Sequence, residues 1–421
     1  MQVSIGRSSI HGQVVAPSSK SYTIRGLMCA ALANGKSQLV NPLLADDTEA
    51  ASGVLRGLGV NIERSADSWL VSGGRFEMPE SSLDCRESAA TLRFMTAMGA
   101  KVPGGCQLTA KPSLARRPIQ PLIQALRQVG VDCDQNTETG TVSVNGSRFR
   151  GGVSLIPGNI SSQYVSALLL ISPLAERGMR VRLTSALESK PYVEMTIECL
   201  SQFGISVEAS ADYCEFMTEP QQYRPAKYSV EGDWSSVSFL LALGAVAGSI
   251  EIVNVNPRSL QGDKILLEYV ERMGATISVA ENSARVERSG GLKAVNIDMT
   301  DCIDLLPTVA VLAAFAKGTT ELTGIARARL KESDRVLSVK NELQRAGIEV
   351  REDRDRLCVV GGNPVGGLFQ SHGDHRIAMA MSILGVVVGN TTVDGAECVA
   401  KTYPEYWSIL SSIGGKVDIS G

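Results

Sequence analysis

Six short fragments of the chain share one pattern of apolar and polar positions around a central glycine. They are L-R-G-L-G-V-N-I (55–62), L-R-Q-V-G-V-D-C (126–133), L-S-Q-F-G-I-S-V (200–207), V-E-R-M-G-A-T-I (270–277), L-Q-R-A-G-I-E-V (343–350) and L-S-S-I-G-G-K-V (410–417). Each predicts the end of a helix, a turn at the glycine and the start of a strand, because glycine takes the left-handed conformation past a helix without a Cβ penalty. The glycines recur about every 70 residues, which predicts six copies of one structural unit.

Each predicted unit contains two helices at matching places. The first helix begins near Ser19, Glu87, Ser161, Asp233, Asp304 and Asp374, and the second begins near Asp47, Pro118, Pro191, Asp263, Glu332 and Tyr403. Most of these starts carry a residue type that caps helices. Short runs such as W-L-V-S (69–72) and L-C-V-V (357–360) predict strands between and after the helices. We therefore expect an α/β protein with mixed sheets.

The composition of the chain argues against several classes of protein. The chain has 421 residues, 44% of them hydrophobic and 20% charged, which suits two or more packed domains. The first residues, M-Q-V-S-I-G, lack a basic segment followed by an apolar core, and the longest apolar run, near 305–316, contains Pro307 and is too short to cross a bilayer. We therefore expect a cytoplasmic protein with no membrane partner. A net charge of −3 argues against nucleic-acid binding, and nine cysteines without a C-x-x-C pair favour buried reduced thiols.

Polar and charged residues interrupt the pattern at or near the predicted helix starts. They are Lys20, Ser21, Arg25, Arg117, Ser161, Ser162, Gln163, Ser189, Tyr192, Asp304, Lys331, Glu332, Arg335, Arg376 and Lys401. Helix N-termini carry unsatisfied N–H groups and partial positive charge, so a group of them forms an anion site. The Lys20-Ser21 pair lacks the glycines of a nucleotide-binding loop, since Val14 and Ser19 occupy those places. The excess of Lys and Arg favours a small, highly charged anion.

Ten motifs, in this order along the chain, resemble those of the 5-enolpyruvylshikimate-3-phosphate synthase family, also called the 3-phosphoshikimate 1-carboxyvinyltransferases. They are P-S-S-K-S-Y-T-I-R (17–25), D-D-T (46–48), L-A-R-R-P-I (114–119), S-S-Q-Y (161–164), S-K-P-Y (189–192), E-G-D-W-S-S (231–236), Q-G-D (261–263), L-K-E-S-D-R (330–335), G-D-H-R-I-A-M-A (373–380) and A-K-T-Y-P (400–404). Each motif alone is weak. Their order and repeat spacing make the combination specific over essentially the whole chain.

The resemblance implies a two-domain inside-out α/β fold with six βαβαββ units, three in each domain around a pseudo-threefold axis. We place one domain at 15–229 and the other at 1–14 plus 230–421, with a first strand at about 1–14 completing the second domain. The chain would cross between the domains near Ala16 and Gly232. By resemblance, the first domain binds mainly shikimate 3-phosphate and the second mainly phosphoenolpyruvate.

The reaction implied by the resemblance transfers the enolpyruvyl group of phosphoenolpyruvate to the 5-hydroxyl of shikimate 3-phosphate and releases phosphate. Addition needs a base to take the hydroxyl proton and an acid to protonate the methylene carbon. Elimination needs a base to remove a proton from that carbon and positive charge to stabilise the departing phosphate. By resemblance, Asp304 is the candidate base, Glu332 moves the proton at the methylene carbon, and Lys20 handles phosphate. Aromatic amino acid biosynthesis is the implied pathway, no metal or organic cofactor is implied, and we expect a monomer.

The resemblance also assigns two sets of binding residues. Those for shikimate 3-phosphate are Lys20, Ser21, Arg25, Ser161, Ser162, Gln163, Ser189, Tyr192, Asp304, Arg327 and Lys331, and those for phosphoenolpyruvate are Lys20, Ala89, Arg117, Gln163, Glu332, Arg335, Arg376 and Lys401. At Arg327 the family often has asparagine. The aspartate of E-G-D-W-S-S, Asp233, is expected to cap a helix.

Three alternative functions each require particular residues. The sister family, UDP-N-acetylglucosamine enolpyruvyl transferase, carries a reactive cysteine in a P-G-G-C context, and this chain has P-G-G-C at 103–106. Cys106, however, lies much farther from the Arg117-Pro118 pair than in that family. A repeat-built clamp on nucleic acid would show a basic inner face rather than basic motif loops. A metal site at His372 and His375 lacks a matching ligand cluster.

Ala89 marks the main departure from the family pattern and generates a prediction about inhibition. Where the family usually reads C-G-N-S-G-T-T-M-R, this chain reads C-R-E-S-A-A-T-L-R (85–93), with Ala89 in place of a glycine that lines the phosphoenolpyruvate pocket. Glyphosate, the family's inhibitor, occupies that pocket but is longer than the substrate, so the Ala89 methyl group should clash with it. We predict reduced glyphosate sensitivity in the natural chain and greater sensitivity in Ala89→Gly, measured as inhibition at fixed phosphoenolpyruvate. Full sensitivity of the natural chain with no gain in the glycine variant would contradict this steric explanation.

Overall fold

The computed structural model describes residues 1–145 and 149–421. The chain forms two compact units. The A unit is Ser18–Glu231, and the B unit is Met1–Pro17 together with Gly232–Gly421. The predicted domain limits, 15–229 and 1–14 plus 230–421, lie within a few residues of these boundaries. The assignment of one substrate mainly to each domain stays a prediction.

Helices and strands alternate along both units. The helices are α1 (Lys20–Leu32), α2 (Asp46–Gly57), α3 (Ala89–Met98), α4 (Pro112–Ala115), α5 (Gln120–Gln128), α6 (Ser162–Ile171), α7 (Lys190–Gln202), α8 (Trp234–Ala247), α9 (Leu266–Arg272), α10 (Leu306–Ala314), α11 (Arg335–Arg345), α12 (His375–Val388) and α13 (Tyr406–Ser412). The strands are β1 (Gln2–Gly6), β2 (Ile10–Val15), β3 (Gly35–Val40), β4 (Asn61–Arg64), β5 (Ser68–Gly73), β6 (Leu83–Asp84), β7 (Cys106–Thr109), β8 (Asp132–Gln135), β9 (Val142–Asn145), β10 (Gly152–Ile156), β11 (Met179–Leu183), β12 (Glu208–Ala209), β13 (Glu215–Thr218), β14 (Lys227–Ser229), β15 (Gly248–Val253), β16 (Thr276–Ala280), β17 (Ser283–Glu287), β18 (Ile297–Asp298), β19 (Thr319–Thr323), β20 (Glu349–Asp353), β21 (Arg356–Val360), β22 (Leu368–Gln370), β23 (Thr391–Asp394) and β24 (Lys416–Ser420).

The six sheets share one strand order, in which a parallel pair is followed by two antiparallel strands. The A unit contains the sheets β14-β3-β5-β4, β6-β7-β9-β8 and β10-β11-β13-β12, and the B unit contains β2-β15-β17-β16, β18-β19-β21-β20 and β22-β23-β1-β24. Parallel and antiparallel pairing in the same sheet confirms the predicted mixed sheets. The shared order confirms six repeated units, three in each part of the fold.

The N-terminal segment differs from the single strand predicted at about 1–14. It forms two strands in two sheets of the B unit: β1 pairs with β23 and β24, and β2 pairs with β15. The chain leaves the first sheet at Arg7–Ser9, where the Ser8 N–H donates to the Val386 carbonyl at 2.9 Å. Because Val3 and Ile5 of β1 and Ile10 and Val14 of β2 are all buried, each strand contributes its own apolar face to the core.

Three buried helices form the interior of each unit. In the A unit α3 packs on both α6 and α1, and in the B unit α8, α10 and α12 pack on one another. Almost every residue of these helices is buried, including Phe94 and Leu168 in the A unit and Leu241 and Met381 in the B unit. Helices that are apolar on all sides belong in a core, so the sheets form the outer layer. Polar side chains within these helices, such as Arg25 and Arg93, are therefore buried as well.

Helix starts lie within a few residues of their predicted places. Asp233 caps α8 by accepting from the Ser236 N–H at 2.9 Å, which confirms the capping role predicted for it. Asp374 caps α12 through the Arg376 N–H at 2.9 Å. Short 3-10 turns at Gly262–Ile265 and Ile303–Leu305 precede α9 and α10, so these α-helices begin slightly later than predicted. In the part of the chain that the structure describes, no helix has both the length and the hydrophobicity to cross a bilayer.

The six repeat glycines all adopt a positive φ, between 80° and 104°. This confirms the predicted left-handed turn after each second helix. At Gly347 a Cβ atom would meet nothing within 4 Å, so the backbone conformation is the only obstacle to a side chain there. Gly367, in the same unit, also has open space around it but no positive φ.

These two glycines give a matched test of the repeat turn. We predict that Gly347→Ala lowers the free energy of unfolding of the B unit by about 1 kcal/mol, because alanine in the left-handed region carries that cost. Gly367→Ala is expected to be neutral or to stabilise by about 0.5 kcal/mol, since it restricts only the unfolded chain. Urea unfolding followed by circular dichroism measures both. Equal effects of the two substitutions would refute the conformational explanation.

Candidate active site

Charged residues predicted for the site meet at helix starts in the B unit. Asp304 lies in the 3-10 turn before α10, Lys331 and Glu332 lie in the loop before α11, Arg335 opens α11, Arg376 lies in the first turn of α12, and Lys401 ends the 3-10 turn before α13. The repeat brings these starts to one end of the unit. We call Asp304, Lys331, Glu332, Arg335, Asp374, Arg376 and Lys401 the B cluster.

Arg335 is the centre of the B cluster. Its side chain is 1% exposed and donates to three carboxylates, with Nη1 at 2.7 Å from Asp304 Oδ1, Nη2 at 2.7 Å from Glu332 Oε2 and Nε at 2.7 Å from Asp374 Oδ2. Burial alone would lower the pKa of Arg335, but these three carboxylates raise it above its ordinary value. A buried charge is stable only when its hydrogen bonds are satisfied, so the guanidinium fixes the relative positions of three helix starts.

Asp304 is held in its ionised form by the cations around it. Lys331 Nζ lies 3.1 Å from its Oδ1, and Arg376 Nη2 lies 3.5 Å from its Oδ2. Burial opposes ionisation, but Lys331, Arg376 and Arg335 together hold the pKa of this carboxyl well below its usual range. Asp304 is therefore an acceptor for a hydroxyl hydrogen bond at neutral pH. It becomes a stronger base only when a cation moves from it to another anion.

The surroundings of Lys331 lower the pKa of its amine. Burial lowers the pKa of Lys331 to about 8, and the positive charges of Arg335 and Arg327 act in the same direction, whereas Asp304 and Glu332 oppose the shift. Arg327 itself is buried and donates from Nη2 to the Thr300 carbonyl at 2.6 Å. Its charge therefore acts on Lys331 from a side chain anchored to the backbone.

Glu332 lies between two cations. Besides its contact with Arg335, its Oε1 is 3.7 Å from Lys401 Nζ. Lys401 is buried, so this amine lies within the cluster rather than in bulk water. Each oxygen of the Glu332 carboxylate therefore faces a different cation, which orients the group within the B cluster.

Asp263 lies at the same end of the B unit, although its sequence pattern predicts only a helix start. It is 1% exposed, and Ser235 Oγ donates to its Oδ2. Among the residues the structure describes, its Oδ1 has no hydrogen-bond partner. Burial raises the pKa of Asp263 to about 7; Asp304 adds to the shift, while Arg376 and the Ser235 hydrogen bond oppose it. Such a carboxyl loses its proton near neutral pH.

Lys20 and Asp47 form an ion pair in the A unit. Lys20 is the first residue of α1, with Ser19 as its N-cap, and its Nζ lies 3.0 Å from Asp47 Oδ2 in the first turn of α2. Asp47 is buried, whereas Lys20 is half-buried. The lysine is therefore oriented by a carboxylate that is itself fixed in the fold.

Arg93 joins two predicted site residues and was not predicted itself. It is buried in α3 and donates from Nη1 to Gln163 Oε1 at 2.6 Å and to Ser161 Oγ at 3.2 Å. Its guanidinium also lies over the Tyr164 ring, 5.1 Å from the centroid. The sequence signal was an arginine in the apolar run T-L-R-F-M, where a charge needs a specific partner.

Arg25 is inside the A unit rather than at its surface. It is 2% exposed, and its nitrogens donate to Thr196 Oγ1 at 2.8 Å and to the carbonyls of Ser21 and Tyr192, both at 3.0 Å. Burial lowers the pKa of Arg25. These bonds connect α1 to α7 and fix the backbone of two predicted binding residues. Direct ligand binding by Arg25 stays a prediction.

The remaining predicted residues of the A unit also lie at helix starts. Ser162 opens α6 with Ser161 as its N-cap, and Ser189 precedes α7 in a left-handed conformation with φ 54°. Ala89 is buried and opens α3, and Arg117 is half-buried between α4 and α5. That these residues bind a common ligand stays a prediction.

Thiol and metal chemistry find little support in the described residues. All nine cysteines are free thiols, six of them are buried, and Cys214 is exposed. Cys106 is buried at the start of β7, and burial raises the pKa of its thiol to about 11. Over residues 1–145 and 149–421, no group of three or more His, Cys, Asp or Glu side chains is arranged to hold a metal ion.

Known proteins resemble this chain over its full length. A family model described as EPSP synthase (3-phosphoshikimate 1-carboxyvinyltransferase) matches residues 5–410. A 3-phosphoshikimate 1-carboxyvinyltransferase from Dehalococcoides mccartyi is 48% identical, covering 99% of each chain, and one from Methanothermobacter thermautotrophicus is 39% identical, covering 100% of each. The structure of EPSP synthase from Acinetobacter baumannii aligns with a TM-score of 0.83 at 26% identity over 100% of both chains. The enolpyruvyl transferase NikO from Streptomyces tendae, at 16% identity and TM-score 0.78, shares the fold.

The raised pKa of Asp263 predicts a pH-dependent cost to stability. The unfolded carboxyl loses its proton near pH 4, whereas the folded one keeps it to about pH 7, so the stability of the protein falls as the pH rises through that window. Asp263→Asn carries no ionisation cost. We therefore expect the variant to exceed the natural protein by about 1–3 kcal/mol at pH 8 and by much less at pH 5.

Thermal unfolding at several pH values between 5 and 8 measures this difference. Asp418→Asn is the control, because Asp418 is exposed on β24 and its loss should leave the pH dependence unchanged. If Asp263→Asn follows the natural protein at every pH, Asp263 does not carry the unfavourable ionisation inferred for it.

Proposed function

The chain belongs to the EPSP synthase family, and from that premise we propose that it transfers the enolpyruvyl group of phosphoenolpyruvate to the 5-hydroxyl of shikimate 3-phosphate, releasing inorganic phosphate. It is thus a transferase of the shikimate pathway, which leads to the aromatic amino acids. A monomeric state and a cytoplasmic location are further expectations from the sequence.

The observation that carries the proposal is the composition of the B cluster. Two carboxylates, Asp304 and Glu332, lie among four cations within one end of the B unit. Addition and elimination at an enolpyruvyl group need proton acceptors and donors beside groups that stabilise phosphate and carboxylate charge. This arrangement supplies both kinds of group in one place.

We assign phosphoenolpyruvate mainly to the cations of the B cluster. Arg335 and Arg376 have the planar donor geometry that suits a carboxylate or a phosphate, and Lys401 supplies a compact charge. The assigned residues are Lys20, Ala89, Arg117, Gln163, Glu332, Arg335, Arg376 and Lys401. We add Arg93, because it is a buried cation that donates to Gln163 and Ser161.

Shikimate 3-phosphate is assigned to the hydroxyls and helix starts of the A unit, with help from the B cluster. Ser161, Ser162 and Ser189 each lie at a helix N-terminus, where N–H groups and a hydroxyl together suit a phosphate. The other assigned residues are Lys20, Ser21, Arg25, Gln163, Tyr192, Asp304, Arg327 and Lys331. Arg25 contributes by holding Ser21 and Tyr192 in place.

The reaction divides among three of these residues. Asp304 accepts the hydrogen bond of the 5-hydroxyl and takes its proton as the oxygen attacks the central carbon of phosphoenolpyruvate. In its protonated form Glu332 gives a proton to the methylene carbon in the addition, and its carboxylate removes one from the resulting methyl group in the elimination, when the carbon–oxygen bond to phosphate breaks. The proton that Asp304 took passes to the departing phosphate. Lys20 and the arginines stabilise the phosphate that leaves with the electron pair of that bond.

Binding of an anion would itself activate Asp304. In the structure Lys331, Arg335 and Arg376 all contact this carboxylate. When a substrate anion takes part of their charge, the pKa of Asp304 rises from its low value toward the range of a base. The site is therefore a weak base until its substrates arrive.

Cys106 separates this proposal from the sister activity on UDP-N-acetylglucosamine. A reactive cysteine needs an accessible thiolate. Here the thiol is buried in a strand, and its pKa is raised to about 11. The P-G-G-C motif therefore gives no support to the nucleotide-sugar reaction.

The proposal is tested by phosphate release from phosphoenolpyruvate in the presence of shikimate 3-phosphate or UDP-N-acetylglucosamine. We expect turnover with shikimate 3-phosphate alone. Asp304→Asn and Glu332→Gln should each lower kcat by at least about 100-fold with smaller changes in KM, which also excludes a contaminating enzyme. Turnover that requires the nucleotide sugar would overturn the proposal, and near-normal kcat in either variant would remove that residue from proton transfer.

A further inference from the structure

Glu342 is a fully buried carboxylate outside the residues assigned to substrates. It lies on α11, two turns after Arg335, and its side chain is 0% exposed. Its Oε1 is 2.7 Å from His372 Nε2, and its Oε2 accepts from the Gln370 N–H at 3.1 Å. Arg345 Nε is 3.9 Å from Oε2, but that arginine is half exposed. A buried carboxylate needs such donors, because an unpaired charge in the interior is strongly destabilising.

The loop that Glu342 contacts leads directly into α12. Its residue His372 has φ 55° and the next, Gly373, has φ 66°, so two consecutive residues are in the left-handed region. The Gly373 N–H donates to Ser371 Oγ at 3.2 Å, and the Asp374 N–H donates to the Ser371 carbonyl at 2.9 Å. A left-handed histidine costs about 1–2 kcal/mol, and such a conformation persists only where its surroundings hold it.

Helix α11 holds this loop at two points. At the start of α11, Arg335 Nε donates to Asp374 Oδ2 at 2.7 Å. Two turns later, the Glu342 carboxylate accepts a hydrogen bond from His372 Nε2 at 2.7 Å. Residues seven apart lie on the same face of a helix, about 10 Å from each other along its axis. The segment between the two contacts is therefore fixed at both ends, and Arg376 follows it within one turn of α12.

We propose that Glu342 and His372 form a positioning pair that sets the orientation of Arg376 toward phosphoenolpyruvate. The inference rests on the proposed function, because it concerns the anion that Arg376 binds there. The pair does not touch the reacting atoms. It holds the 371–374 loop in a conformation that the sequence alone disfavours, and the loop determines where α12 begins. Loss of the pair should loosen the guanidinium of Arg376 and weaken phosphoenolpyruvate binding.

Two substitutions at one position separate the hydrogen bond from the backbone conformation. Gln places an amide nitrogen near the position of His Nε2 and keeps the donor, whereas Leu has similar bulk and no donor. Gln and Leu at position 372 carry the same energetic cost of the left-handed backbone conformation. The two variants therefore differ only in whether the side chain donates a hydrogen bond to Glu342. We expect His372→Leu to raise KM for phosphoenolpyruvate by about tenfold, with kcat and KM for shikimate 3-phosphate changed less than about threefold. His372→Gln should remain within about twofold of the natural protein.

A second variant and a control complete the experiment. Glu342→Gln keeps the shape of the side chain but leaves one acceptor oxygen for two donors, His372 Nε2 and the Gln370 N–H, and it should raise KM for phosphoenolpyruvate as His372→Leu does. Arg345→Gln removes the exposed cation on the other side of Glu342 and should change nothing. Melting temperatures are measured for every variant.

The outcomes separate the two proposals. If the natural protein turns over shikimate 3-phosphate, but both His372→Leu and Glu342→Gln lower the melting temperature and leave KM for phosphoenolpyruvate unchanged, the pair is structural only and the inference is overturned. If His372→Leu does not fold, Glu342→Gln alone decides by the same criterion. Absence of turnover by the natural protein would overturn the proposed function, and this inference with it.

Discussion

The requirement to neutralise a buried guanidinium organises the B unit. Arg335 is almost completely removed from water and is bonded to Asp304, Glu332 and Asp374, which come from three different parts of the chain. Desolvating this charge costs several kcal/mol unless each of its donors finds an acceptor in good geometry. The starts of α10, α11 and α12 therefore cannot move independently. Every other charge of the B cluster takes its position from this one.

The repeated fold gives the same structural position to residues with different tasks. Asp233, Asp304 and Asp374 occupy matching helix starts in the B unit. Asp233 caps α8, and Asp374 caps α12 while also accepting from Arg335. Asp304 lies in a 3-10 turn, so its carboxylate faces Lys331 and Arg376 instead of capping a helix N-terminus. Repetition thus supplied three acidic positions, of which two cap helices and the third faces the cations of the B cluster.

The sequence predicted the features that depend on local backbone rules. The six glycines, the capping aspartates and the helix starts follow from conformational preferences that act over a few residues, so the repeat and its boundaries could be found before the structure. The two-strand N-terminus could not be predicted in this way. The position of the short break between β1 and β2 depends on pairing with strands that are distant in sequence, β23 for β1 and β15 for β2.

Residues whose role depends on distant partners were the ones missed. Arg93 lies in an apolar helix, and only the fold shows that Ser161 and Gln163 are beside it. Asp263 matches a helix-start pattern, yet its neighbours leave one of its oxygens without a partner among the described residues. Arg25 was predicted as a ligand from its motif, and the structure adds that its donors hold α1 to α7. The sequence pattern singled out Arg25 and Asp263 but not Arg93. For all three residues, the environment of the side chain depends on packing against residues that are distant in sequence.

The balance of charge connects this architecture to its chemistry. In the B cluster, four cations face three carboxylates, so the group carries a small positive excess before any ligand binds. A more positive cluster would be unstable when empty, because like charges would repel in a medium of low dielectric constant. A neutral one would bind a phosphorylated acid weakly. When an anion takes over part of this ion pairing, the carboxylates that keep the empty site stable lose some of the positive charge around them, and their affinity for a proton rises.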